Sequence, residues 1–121
     1  MTASVERRRF DDPDETRRFL DKGRTDVVRL GGQTIGRLRL EPGWVWSEHV
    51  GPALGTTVCR ESHLRYVISG RMAVTMEDGT EVEFAPGDLV SIPPGHDGRT
   101  VGDEPCVLLD LTGLGHDREP S

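Results

Sequence analysis

Residues 64–96 read LRYVISGRMAVTMEDGTEVEFAPGDLVSIPPGH, and the turn residues inside this stretch cut it into short apolar runs. Leu64 to Ser69, Met72 to Met76, Glu81 to Phe84 and Leu89 to Ile92 are rich in Val, Ile, Leu and Thr, the side chains that suit a pleated surface. Gly70, Asp78-Gly79, Pro86-Gly87 and Pro93-Pro94-Gly95 punctuate them. Asp78-Gly79 is the clearest hairpin signal in the chain, because Gly readily takes the positive φ that a primed turn requires.

The same alternation of runs and turns continues outward. Val27 to Leu30, Thr34 to Leu40 and Trp44 to Val50 lie upstream, and Arg99 to Val101 and Val107 to Leu111 lie downstream. With 15 Gly and 8 Pro falling between such runs, the fold class is all-β, a sandwich or small barrel of short strands. Periodicity alone does not choose between a jelly roll, an immunoglobulin-like fold and other barrels. Within Trp44 to His49, strand alternation places Val45, Ser47 and His49 on one face. Trp44, Trp46 and Glu48 take the other, so an inward His49 sends both Trp outside. Before the first strand, Asp12 reads as a helix cap, Pro13 as the first helical residue and Glu15 as the closing member of a capping box. A short helix to about Lys22, ended by Gly23, is expected there.

A chain of 121 residues makes one domain, large enough to fold without a disulfide or a structural metal. Lys and Arg number 15 against 21 Asp and Glu, a net charge of -6 that repels a phosphate backbone and argues against a nucleic-acid partner. No apolar run approaches the roughly 20 residues that span a bilayer, so no membrane segment is expected. The amino terminus carries basic residues without an apolar stretch behind them and does not read as a secretory signal, which points to a cytoplasmic protein. In that compartment Cys59 and Cys106 read as thiols rather than as a bridge.

Four histidines occur, and His49, His63 and His96 stand in or beside expected strands, whereas His116 is in the tail. A lone strand histidine is more often a hydrogen-bonded residue than a ligand. Together with Cys59, four residues before His63, the three supply imidazole and thiolate donors of the kind that bind zinc and other first-row metals. In extended chain Cys59 and His63 point to the same face. Cys106 opens an apolar run and reads as a packed thiol.

Two stretches resemble the sequence motifs of the cupins. Pro42-Gly43, five residues and His49, followed by His63, six residues and Gly70, is similar to the first motif. Pro86-Gly87-Asp88, four residues and Pro93-Pro94-Gly95-His96 is similar to the second, and small single-domain bacterial cupins look closest. The resemblance implies a single jelly-roll β-barrel over 26–113, with an amino-terminal extension over 1–25 and a polar tail over 114–121. It also implies a homodimer and a divalent transition metal held inside the barrel. The family's Glu place is His63 here, its second His place is Cys59, and its first is Thr57, or His49 if Gly43 opens the motif. The second-motif His place is Gly98, with His96 displaced by two residues and so on the same strand face.

The implied ligand set is therefore His49, Cys59, His63 and His96. A thiolate in place of a carboxylate favours zinc first and iron second. Arg65 and Val67, on the strand from Leu64 to Ser69, are the candidate contacts for a small-molecule ligand. Asp97 reads as a partner to His96 or as a turn residue. Three functions stay open at this point: a metal-binding cupin that takes a small molecule in the barrel, a cupin metalloenzyme of oxygenase, isomerase or lyase type, and a metal-free structural module.

Overall fold

A computed structural model describes residues 4–112, so His116 and the tail lie outside the described residues. Nine strands and two one-turn helices make up the described chain. The strands are β1 Glu15–Arg18, β2 Gly23–Leu30, β3 Gln33–Leu40, β4 His63–Ser69, β5 Arg71–Met76, β6 Glu81–Phe84, β7 Leu89–Ile92, β8 His96–Val101 and β9 Cys106–Asp110. The helices are α1 Trp46–His49 and α2 Gly51–Leu54. One sheet has the order β1-β2-β3-β9-β4-β7 and the other β6-β5-β8. All the strand pairings are antiparallel, and the two sheets make the expected jelly roll.

From β4 to β7 the strands stand where the turn-bounded runs place them. Gly70, at φ 72°, turns β4 directly into β5, and an added Cβ there would run into the Pro105 carbonyl oxygen, so both backbone angle and space demand glycine.

Two expectations give way. A strand stands where a helix was expected after Asp12: Glu15 pairs with Val27 and Arg18 with Arg24 on β2. Arg17 of β1 and Arg29 of β2 both bond the Glu15 carboxylate, and the Asp14 carboxylate accepts from the Arg29 amide, so strand partners replace the capping box. The second change is at Trp44 to Val50, where α1 replaces a strand. The two Trp are core residues, 1% and 2% exposed, instead of packing outside. Trp44 and Trp46 take the inward direction that was expected of His49, and His49 is left half-buried at the end of the helical turn. Asp97 on β8 secures that turn, its Oδ1 accepting from the Ser47 amide at 2.9 Å and its Oδ2 from the Ser47 hydroxyl at 2.7 Å.

The core runs between the sheets through Leu38, Leu40, Trp44, Val67, Met72, Phe84, Ile92 and Leu108. Its outline is unusual on β4. His63, Arg65 and Val67 point inward and are buried, whereas Leu64, Tyr66 and Ile68 are 38%, 40% and 45% exposed. Polar groups inside and apolar groups outside invert the ordinary pattern of a half-buried strand, and the inversion marks where the chemistry lies.

Candidate metal centre

Cys59 and His96 are 37 positions apart in sequence and adjacent in space because the backbone joins them. Cys59 and His96 form an isolated antiparallel bridge in which the Cys59 amide donates to the His96 carbonyl at 2.7 Å. The Gly95 amide returns a bond to the Cys59 carbonyl at 2.7 Å, from a left-handed turn at φ 90° that glycine adopts without strain. His63 opens β4 opposite Ile92, the last residue of β7, and so lies beside the turn that leads into His96. One donor atom from each of Cys59, His63 and His96 lies within 4.8 Å of the other two, and all three residues are buried.

The imidazoles are oriented by their second nitrogens. Nδ1 of His63 lies 3.4 Å from Oδ2 of Asp110, and Nδ1 of His96 lies 2.7 Å from the Pro93 carbonyl oxygen. A carboxylate and a carbonyl only accept, so both Nδ1 atoms carry the proton and both Nε2 atoms keep a lone pair. His63 Nε2 faces the Cys59 sulfur at 3.5 Å. The two rings meet edge to face, 5.3 Å between centroids. Burial pushes the His63 pKa down to about 4, helped by the Arg65 charge and opposed by Asp110, so the ring is neutral at ordinary pH. Burial likewise lowers His96.

Asp110 is the group that the sequence reading missed. It sits on the inward face of β9 with Cys106 and Leu108, directly across the ladder from Arg65. Arg65 Nε donates to Asp110 Oδ2 at 3.1 Å, and Thr112 donates to Oδ1 from its amide at 3.0 Å and from its hydroxyl. Burial alone would raise the carboxyl pKa, but the His63 bond, the Arg65 charge and Thr112 hold it well below the usual carboxylate range. A charged residue at an inward position of an otherwise apolar strand was the available signal.

The donor set fits a transition metal. Zinc bonds of roughly 2.0–2.3 Å place tetrahedral neighbours about 3.3–3.8 Å apart, and a cluster spanning 4.8 Å closes to that with small side-chain movements. Both histidines already have the oxygen partner on the far nitrogen that metal-bound histidines require. His49 stands outside this cluster. Its Nδ1 accepts from the Val45 amide at 3.0 Å, within its own helical turn. Arg65 lines a small internal cavity with His96, whereas Val67 is wholly buried in the apolar core. Asp97 bonds Ser47 and the next amide, Gly98, and so braces α1. Cys106 is a free buried thiol whose pKa burial pushes up to about 12, in keeping with a packing role.

Comparison with known proteins places these residues. The cupin domain family matches residues 59–112. Among solved structures the chain is similar to a cupin-superfamily sugar phosphate isomerase from Silicibacter pomeroyi, with 21% identity, a TM-score of 0.60 and coverage of 87% of this chain and 73% of that one. It is also similar to the polyketide cyclase RemF from Streptomyces resistomycificus, with 17% identity, a TM-score of 0.64 and coverage of 88% and 78%. A protein of unknown function from Rhizobium leguminosarum shows 21% identity and a TM-score of 0.60, over 89% of this chain and 96% of that one. At these identities the likeness is one of fold. No curated protein matches. The family match begins at Cys59 and runs through His63, His96 and Asp110, so the whole cluster lies inside the segment that is similar to the cupin domain, in a chain that shares the fold of cupin-superfamily structures.

Proposed function

We propose that this cupin holds one divalent transition metal, zinc in first place and iron in second, through Cys59, His63 and His96, and binds a small molecule beside it inside the barrel. The observation that carries the reading is the arrangement of the two imidazoles. Each has its Nδ1 proton committed to an oxygen, Asp110 or Pro93, and each is neutral, the state a ligand needs. Cys59 contributes a soft donor that favours zinc over manganese. Asp110 balances Arg65 and orients His63, so the buried guanidinium is not an unpaired cation.

Metal analysis of protein purified without a His tag tests this: about one zinc per chain is expected, lost in His63→Ala and His96→Ala. Less than about a tenth of an ion per chain, with melting unchanged by a chelator, would defeat it in favour of a metal-free module. A cytoplasmic setting belongs to the same reading, since both cysteines are free and buried. A homodimer belongs to it as well, supported by the exposed apolar face of Leu64, Tyr66 and Ile68. A compact monomer in light scattering would remove it.

A second reading, a metalloenzyme, is favoured by the donor count. The cluster offers three protein donors, the number found where an ion keeps a place for an exogenous ligand, while structural zinc sites use four. Such an ion acts as a Lewis acid toward a bound oxygen. Turnover of a sugar phosphate or other small substrate that disappears on chelation and returns with zinc would establish it.

A further inference from the structure

We propose that the barrel takes a small organic monoanion with an apolar body, which enters between the free edges of β6 and β7 and presents one acceptor oxygen to Arg65 and Trp44. This deepens the small-molecule reading above and rests on that part of it.

Two cavities share lining residues. The inner one, about 10 Å3, is bounded by Trp44, Trp46, Arg65, Val74, Ile92 and His96. That is room for about one water-sized atom, on the order of 10–15 Å3. The outer one, about 220 Å3, is bounded by Val74, Met76, Val82, Phe84, Val90 and Ile92. A dry apolar cavity of about 150 Å3 accepts benzene, so the outer space suits a single ring or a short alkyl chain. Val74 and Ile92 line both cavities, so the two adjoin there.

The opening follows from the topology. β6 is the outer strand of one sheet and β7 the outer strand of the other. Residues 85–88 turn between them, and among the described residues no ladder joins the two. Val82 on β6 is 50% exposed and stands at the lip.

The inner end is a site for an acceptor. Trp44 Nε1 and Arg65 Nη2 are buried and have no hydrogen-bond partner among the described residues, in residues 1% and 2% exposed. Both groups only donate. Among the nitrogen and oxygen atoms of the lining side chains, only His96 supplies a lone pair, and in the metal reading that pair belongs to the ion. Among these side chains a water would find only the His96 lone pair and the weakly accepting Met72 sulfur for its two hydrogens, whereas an anionic oxygen brings none. A divalent ion, the Cys59 thiolate, Arg65 and Asp110 together leave a single net positive charge, which a monoanion neutralises.

The test titrates benzoate and its neutral counterpart benzyl alcohol into zinc-loaded and chelated protein, read by calorimetry and by the fluorescence of Trp44 and Trp46. Benzoate is expected to bind saturably and at least about tenfold more tightly than benzyl alcohol. Val82→Glu should weaken benzoate by about tenfold while Val82→Lys does not, since a charge at an exposed lip leaves folding intact and repels only the anion. Equal affinity for the alcohol, no saturable response, or equal binding by both Val82 variants would overturn the proposal. Metal content is read separately. Saturable benzoate binding in a protein that holds no zinc removes the metal reading and keeps this one, and full zinc occupancy without a benzoate response does the reverse.

Discussion

Nδ1 of His63 lies 3.4 Å from Oδ2 of Asp110, and both side chains are almost wholly buried. The same Oδ2 accepts from Arg65 Nε at 3.1 Å, so one carboxylate orients a histidine and neutralises a buried guanidinium. Asp110→Asn leaves Arg65 as an uncompensated buried charge. It should cost about 3–5 kcal/mol of stability in urea unfolding. Zinc affinity, read by competition with a chromophoric chelator, should fall roughly 10–100-fold. Wild-type values for both would show that the pairing has no energetic role.

Acid should destabilise the metal-free protein through His63. Its folded pKa is about 4 against an ordinary 6.5, so between those values the unfolded chain binds the extra proton. The stabilisation is fully present above pH 6.5 and is lost as pH falls toward 4, by about 3 kcal/mol if His63 acted alone. Denaturation curves from pH 7.5 to 4 should show this slope, and His63→Gln should flatten it. Protons compete with the ion for the same Nε2, so bound zinc should be released in the same window.

Asp97→Ala tests the brace on α1. Losing the bonds to the Ser47 amide and hydroxyl should cost about 1–2 kcal/mol, the range for a lost helix cap. Zinc content should stay at the wild-type level, because Asp97 does not touch the cluster. A variant that melts as wild type does would remove the brace from the account of why this segment turns helical.

The two cysteines should separate cleanly. Cys59→Ser should weaken zinc more than manganese, because the softer donor is lost. Cys106→Ala should keep full zinc and lose about 1 kcal/mol through a small cavity. In the native protein Cys106 should resist iodoacetamide, its thiol being held protonated by a pKa of about 12. Equal loss of both metals in Cys59→Ser would take the sulfur out of the ligand set.

Much of the site was legible in the residues. Cys59, His63 and His96 share the metal-ligand chemistry that picked them out, and the structure brings them together. His49 has the same chemistry but a different place, because α1 folds its ring back onto Val45. Asp110 carried one local signal, a charge in step with the inward Cys106 and Leu108, and that signal does not say what the carboxylate pairs with. Its meaning comes from Arg65, 45 positions away in sequence and across the ladder.

The strands from β4 to β7 were determined by the sequence itself: short β-branched runs ended by Gly and Pro are constrained by local backbone sterics. The segments around Glu15 and Trp46 were decided only in the tertiary structure. Their local preferences, a capping box in one and aromatic and β-branched residues in the other, are worth about a kcal/mol each. Pairing with β2 and the contacts from Asp97 outweigh them. Local propensity yields wherever a partner distant in sequence satisfies more of the backbone and buries more of the side chains.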